Sequence, residues 1–133
     1  MPAIVIDASA LGAIVFNEPE GESVTQRLGD SPLAAPALLR FELANICLKK
    51  IRKHPDQDEV FLAALRRGLD VRVEIHDVDH ADVVPLARST GLSAYDASYL
   101  WLARRLGAEL VTLDQALDDA WKGASRSTEV ERP

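Results

Sequence analysis

AIVIDASAL, residues 3–11, reads as a buried strand that runs directly into a helix. Ile4, Val5 and Ile6 form a β-branched apolar run suited to a strand covered on both faces, and Asp7 marks the point where the chain leaves the sheet. Helix-like sequence from Ser9 to Phe16 follows at once. GAELVTLD, residues 107–114, repeats the design: an apolar strand from Glu109 to Leu113, then Asp114, then a short final helix.

The segments between these junctions alternate in the same way. A loop through Pro19 and Gly21 leads to a helix over Glu22–Leu28, and a short extended piece over Leu33–Ala35 follows. Pro36 introduces a helix from Leu38 to Lys53 that His54 and Pro55 stop. Val60, Phe61, Ala64 and Leu65 give Asp56–Arg67 helical spacing, with Gly68 placed to end it. Val71–Val78 alternates as an imperfect half-buried strand; His80–Thr90 is helical, with Pro85 expected to kink it or delay its start, and Gly91 closes it. Ser93–Leu106 is the clearest remaining helix, ended by Gly107. The polar tail, 123–133, reads as a weak edge strand around Thr128–Val130 or a frayed end. Strands alternating with helices predict an α/β fold, a parallel sheet with helices on both faces, in one domain spanning residues 1–133.

Of 133 residues, 47% are hydrophobic and 27% charged, a composition that argues against disorder. The net charge of -6 excludes a polycation that binds nucleic acid through bulk electrostatics. Cys47 is the only cysteine, which rules out an intramolecular disulfide and a cysteine-rich zinc site and suits a reducing cytoplasm. The apolar opening lacks a preceding Lys or Arg and is broken by Asp7, so it is not expected to act as a secretory signal, and no stretch is long and apolar enough to span a bilayer.

In a parallel α/β sheet, functional groups gather beyond the carboxyl ends of the strands, where Asp7 and Asp114 both stand. Either could equally cap the helix that follows it. Asp96 lies three residues after Ser93 and could belong to a capping box. Glu42 sits in LLRFELANI, residues 38–46, a helix apolar on nearly every side, where an ionised carboxylate needs a partner. Arg40 or Lys49 could neutralise it; a metal ion would do the same for all four acids, and oxygen-only donors suit Mg²⁺ or Mn²⁺.

Four pieces in order, IVIDASAL (4–11), FELAN (41–45), GLSAYDA (91–97) and LVTLD (110–114), resemble the PIN-domain ribonuclease family, in particular VapC-type toxins of toxin–antitoxin pairs. The resemblance implies a PIN-like three-layer α/β/α domain with four or five parallel strands, commonly a homodimer. It also implies one or two Mg²⁺ or Mn²⁺ ions held by Asp7, Glu42, Asp96 and Asp114, the catalytic acids. Ser9 and Thr112 match hydrogen-bonding positions behind those ligands, and Asp118 and Asp119 stand near enough in sequence to approach the site or complement a helix dipole. The activity implied is hydrolysis of RNA by water, leaving a 5′-phosphate and a 3′-hydroxyl, in a cytoplasmic protein held in check by a cognate VapB-like antitoxin.

Arg40, Lys49 and Lys50 are candidate RNA-binding cations, within or beside the densest basic cluster of the chain. Rival readings are a non-catalytic PIN-like protein-binding module and an aspartyl-phosphate phosphatase; Asp7-Ala8-Ser9 lacks the second acid the latter usually carries two residues on. A metal-independent ribonuclease would use histidines, but His54, His76 and His80 fit surface or capping roles. Tyr95, Tyr99, Trp101 and Trp121 could stack bases, though their helical placement favours core or dimer packing.

Overall fold

The computed structural model describes residues 2–131, with side chains described through residue 123. Four strands, β1 (Ile4–Ile6), β2 (Leu33–Pro36), β3 (Val73–His76) and β4 (Glu109–Val111), form one sheet in the order β3-β2-β1-β4. Every pairing is parallel, with Val5 opposite both Ala34 and Leu110. The helices are α1 (Ala8–Val15), α2 (Gly21–Leu28), α3 (Leu38–Lys53), α4 (Asp58–Leu69), α5 (His80–Thr90), α6 (Ala94–Leu106) and α7 (Gln115–Glu131). A 3₁₀ turn at Pro55–Gln57 joins α3 to α4.

Helix α1 packs with α2, α3 and α4, whereas α6 packs with α5 and α7 and against β1, β2 and β4. Right-handed crossovers explain the split: the chain steps one way from β1 to β3 and reverses to reach β4, which moves the later helices to the other face. Ile6, Leu11, Leu39, Leu100, Leu110 and Leu117 are among the side chains fully buried between these layers. The reversal lies between β1 and β4, so their carboxyl ends flank the crevice where this architecture collects functional groups.

Two local expectations are corrected. Gly68 does not end its helix; it lies buried inside α4, where a Cβ would stand 2.8 Å from both methyl carbons of Val15. Its role is close approach of α4 to α1, and the helix runs one residue further to Leu69. The chain around residues 128–130 is part of α7, not an edge strand. A helix anchored through buried Leu117 and partly buried Trp121 extends by adding one backbone hydrogen bond per residue, which a short β-prone segment with no sheet partner cannot match. Pro85 sits inside α5 without delaying its start, which Asp79 caps through a bond from the Asp82 N–H. Gly91 and Gly107 end α5 and α6 at φ of 74° and 60°, a left-handed turn that glycine accepts without strain.

Candidate functional site

Asp7, at the end of β1, is buried and held on three sides. Its Oδ1 accepts hydrogen bonds from the Ser9 hydroxyl (2.7 Å) and the Ala10 N–H (3.0 Å), and its Oδ2 accepts one from the Thr112 hydroxyl (2.5 Å). Ser9 Oγ in turn accepts from the Leu113 N–H (2.9 Å), and Thr112 Oγ1 from the Asp114 N–H (3.0 Å). Asp114 Oδ1 accepts from the Leu117 N–H at 2.9 Å. Asp7 and Asp114 therefore do cap α1 and α7, and the same bonds stitch the β1–α1 junction to the β4–α7 junction.

The facing wall comes from α3 and α6. Glu42, Asn45, Ile46 and Lys49 follow the spacing of one helical face, and together with Asp7, Ser9, Asp96 and Asp114 they line a cleft of about 210 Å³. Glu42 finds neither Arg40 nor Lys49 as an ion-pair partner among the described residues; Oε1 instead accepts a 2.6 Å hydrogen bond from the hydroxyl of buried Tyr99, one turn along α6 from Asp96. Ser93 caps α6 by accepting from the Asp96 N–H at 3.1 Å, while among the described residues no backbone donor is bonded to the Asp96 carboxylate. The capping box is half closed, and that carboxylate is left facing the cleft.

The electrostatics follow from this packing. Burial raises the pKa of Asp7, opposed by the donors Thr112, Ala10 and Ser9, and the charge of Asp96 raises it further. Burial likewise raises Glu42, against the Tyr99 hydroxyl and with the charges of Asp96 and Asp7. Asp96 is raised by burial and by the Asp114 charge, against a smaller lowering by Ser93. Tyr99 is driven up by burial, by its bond to Glu42 and by the carboxylates around it, so it stays protonated and donates. Four carboxylates thus crowd one cleft, and none joins an ion pair among the described residues.

That donor set fits a hard dication, which would relieve the mutual repulsion and bond to oxygen alone. The acids line a shared cleft and do not form a closed cage: among the described residues no three His, Cys, Asp or Glu side chains already converge tightly enough to enclose an ion. Asp7 keeps lone pairs beyond the three bonds it accepts, and Asp96 brings a carboxylate free of backbone donors.

Of the three basic candidates, only Lys49 lines the cleft. Lys50 faces away, paired with Glu18 at 2.6 Å and 5.5 Å from the centre of the Phe16 ring, and Arg40 is exposed beside an apolar crevice lined by Leu11 and Gly68. Successive residues on a helix point about 100° apart, so adjacency in a basic cluster does not place cations together. Asp118 pairs with Lys122 and Asp119 accepts from Gln115, both outside the cleft lining. None of the three histidines reaches it; His76 bonds Glu74 at 3.1 Å. Tyr99 is core as expected and Trp101 and Trp121 are partly buried, but Tyr95 is 65% exposed. Sequence reading missed Asn45 and the role of Tyr99; the i, i+3 step from Glu42 to Asn45 and from Asp96 to Tyr99 was the available signal.

The PIN domain model matches residues 4–122. The chain belongs to the PIN domain family. Ribonuclease VapC9 of Mycobacterium tuberculosis is 33% identical over 97% of this chain and 99% of that protein. Ribonuclease VapC3 of Pyrobaculum aerophilum is 29% identical over 86% of this chain and 91% of its own length. The crystal structure of PAE2754 from Pyrobaculum aerophilum superposes with a TM-score of 0.74 at 28% identity, covering 92% of this chain and 88% of that one. The parallel sheet and its flanking helices are thus the PIN fold, and no described helix is long and apolar enough to cross a membrane.

Proposed function

We propose that this PIN-domain chain is a divalent-metal-dependent endoribonuclease, the toxin of a toxin–antitoxin pair, with Asp7, Glu42, Asp96 and Asp114 as its metal-binding and catalytic acids. The supporting observation is that these four carboxylates line one cleft, without ion-pairing cations among the described residues, in a chain whose relatives are named ribonucleases. Mg²⁺ or Mn²⁺ bound there, as one or two ions, supplies Lewis acidity and positive charge beside the scissile phosphate.

The chain's own groups set the geometry. Ser9, Thr112 and the Ala10 N–H hold Asp7 in one orientation, Tyr99 holds Glu42, and Lys49 stands on the same rim to meet a phosphate oxygen. Water attacks phosphorus in line: the new O–P bond forms as the P–O3′ bond breaks, and a proton ends on the departing 3′-oxygen. The products are a 5′-phosphate and a 3′-hydroxyl. Phe41, 75% exposed next to Glu42, and Leu48, 41% exposed on the same helix, offer apolar surface to a second copy or to a VapB-like antitoxin, in a cytoplasmic setting.

The test is incubation of total cellular RNA with Mg²⁺ or Mn²⁺, with and without chelator, followed by mapping of product ends. Chelator-sensitive fragments ending in 5′-phosphate and 3′-hydroxyl are expected. Cleavage that survives chelation, or 2′,3′-cyclic phosphate ends, would overturn the mechanism, and metal-induced stabilisation without turnover would point to a binding module.

A further inference from the structure

A second cavity of about 290 Å³ opens at the carboxyl ends of β2 and β3, next to the acidic cleft and unlike it in character. Pro36, Leu38, Val78 and Val83 build apolar walls, and the Tyr95 ring stands at the rim, 65% exposed. His76, Asp77, His80 and Ser98 add polar groups to a mostly apolar lining. The volume falls just under the roughly 300–1,000 Å³ typical of small-molecule pockets, which suits a single heterocycle better than a large cofactor.

Its position ties it to the acids. Both openings lie along the carboxyl edge of one sheet, the cavity beyond β2 and β3 and the acidic cleft beyond β1 and β4, and β2 is bonded to β1, so a strand following that edge from the cleft meets the cavity. The chain carries a net charge of -6, and Lys49 is the one cation lining the cleft. The chain's own charges give a polyanion a weak grip here, which leaves room for the uncharged parts of the strand to add to it. Bases offer flat apolar faces for an aromatic ring and hydrogen-bonding edges for polar side chains such as Asp77 and His80.

We propose that this cavity receives one unpaired nucleobase of the substrate strand, stacked on Tyr95, beside the phosphate held at the acidic cleft. The proposal rests on the ribonuclease reading and assigns it a single-stranded substrate gripped by a base.

The experiment measures binding apart from turnover. Glu42→Gln protein is titrated into a fluorescein-labelled single-stranded RNA, and into a series of the same RNA with one abasic nucleotide moved along it. One abasic position is expected to weaken binding by roughly 5- to 100-fold, the range of a lost stack. Tyr95→Ala in the same background should weaken the intact RNA by a similar factor, add nothing at that abasic position, and be rescued by Tyr95→Phe. Because Tyr95 is exposed, the variant keeps its fold, which its melting temperature verifies. A flat abasic scan, additive losses, or a Tyr95→Ala change in oligomeric state by sedimentation would overturn the proposal, the last by showing that a second copy covers the cavity. Cleavage by the unmodified chain separately tests the ribonuclease reading: cleavage with a flat scan removes only the base pocket, and a position-specific scan without cleavage removes only the catalysis.

Discussion

The two walls of the acidic cleft are built on opposite terms. On the β1/β4 wall, Asp7 accepts three hydrogen bonds and Asp114 caps α7, so each carboxylate is committed to the fold before any ligand arrives. On the α3/α6 wall, among the described residues, Glu42 has a single bond from Tyr99 and Asp96 has no backbone donor on its carboxylate. One wall is held by its own hydrogen bonds, and the other has fewer bonds to set against burial and like charge. A site of this kind combines a rigid reference with acids whose charge is unspent.

The largest test of that contrast is Asp96→Asn. Removing an acid from the unspent wall should lower metal-dependent RNA cleavage by about 10²- to 10⁴-fold, the cost of several kcal/mol of transition-state charge stabilisation. The same change should raise the melting temperature of the metal-free protein at neutral pH, because it removes charge that pushes on Asp7 and Glu42. Unchanged cleavage would sink the assignment of Asp96. Lower stability would show that the wall is not under repulsion.

Thr112→Val strikes the fixed wall instead. It keeps the shape but deletes both the donor to Asp7 Oδ2 and the acceptor of the Asp114 N–H, and leaves a buried carboxylate short of one bond, at a cost of about 1–3 kcal/mol in stability. Urea denaturation at neutral pH measures it. Without Thr112 the Asp7 pKa moves further up, so the loss should shrink as the solution is acidified and Asp7 becomes neutral. A loss equal at both pH values would show that packing or the bond from the Asp114 N–H, not the charge of Asp7, is what Thr112 supports.

Acidification alone should separate the chain from an ordinary protein with ion-paired acids. The pKa values of Asp7, Glu42 and Asp96 lie above the ordinary 3.8, 4.5 and 3.8 in the folded state. Raised carboxyl pKa values contribute stability that is complete below the unfolded values and is lost as pH rises through the folded ones. In chelator, the melting temperature contributed by this cluster should therefore fall from mildly acidic toward neutral pH. Mg²⁺ should restore it at neutral pH and do little in acid, where protons already neutralise the cluster. A metal response that is the same at both pH values would place the binding site elsewhere.

The contrast between the walls also explains what sequence alone revealed. The acids at the ends of β1 and β4 follow apolar strands, and the boundaries of α3 fell at Leu38 and Lys53 because Pro36 and Pro55 punctuate them. Such signals are local, and they carried the fold. The bonds that give each wall its character join residues 105 apart, Thr112 to Asp7, and 57 apart, Tyr99 to Glu42, which no periodicity encodes. Gly68 was misread for the same reason, since a glycine that ends a helix and one that lets two helices touch look identical until Val15 arrives against it.

The smallest effect belongs to Lys49, the one cation on the cleft lining, exposed and free of ion pairs among the described residues. As a solvated charge on the rim it can steer and hold a phosphate without entering the bond changes, so Lys49→Ala should raise KM a few-fold and leave kcat nearly unchanged. The dependence of log KM on log salt should flatten by about 0.7, the slope of one phosphate contact on a single strand. A fall in kcat approaching that of Asp96→Asn would mean that the amine touches charge developing in the transition state. An unchanged salt slope would remove Lys49 from RNA binding and leave base contacts to hold the strand.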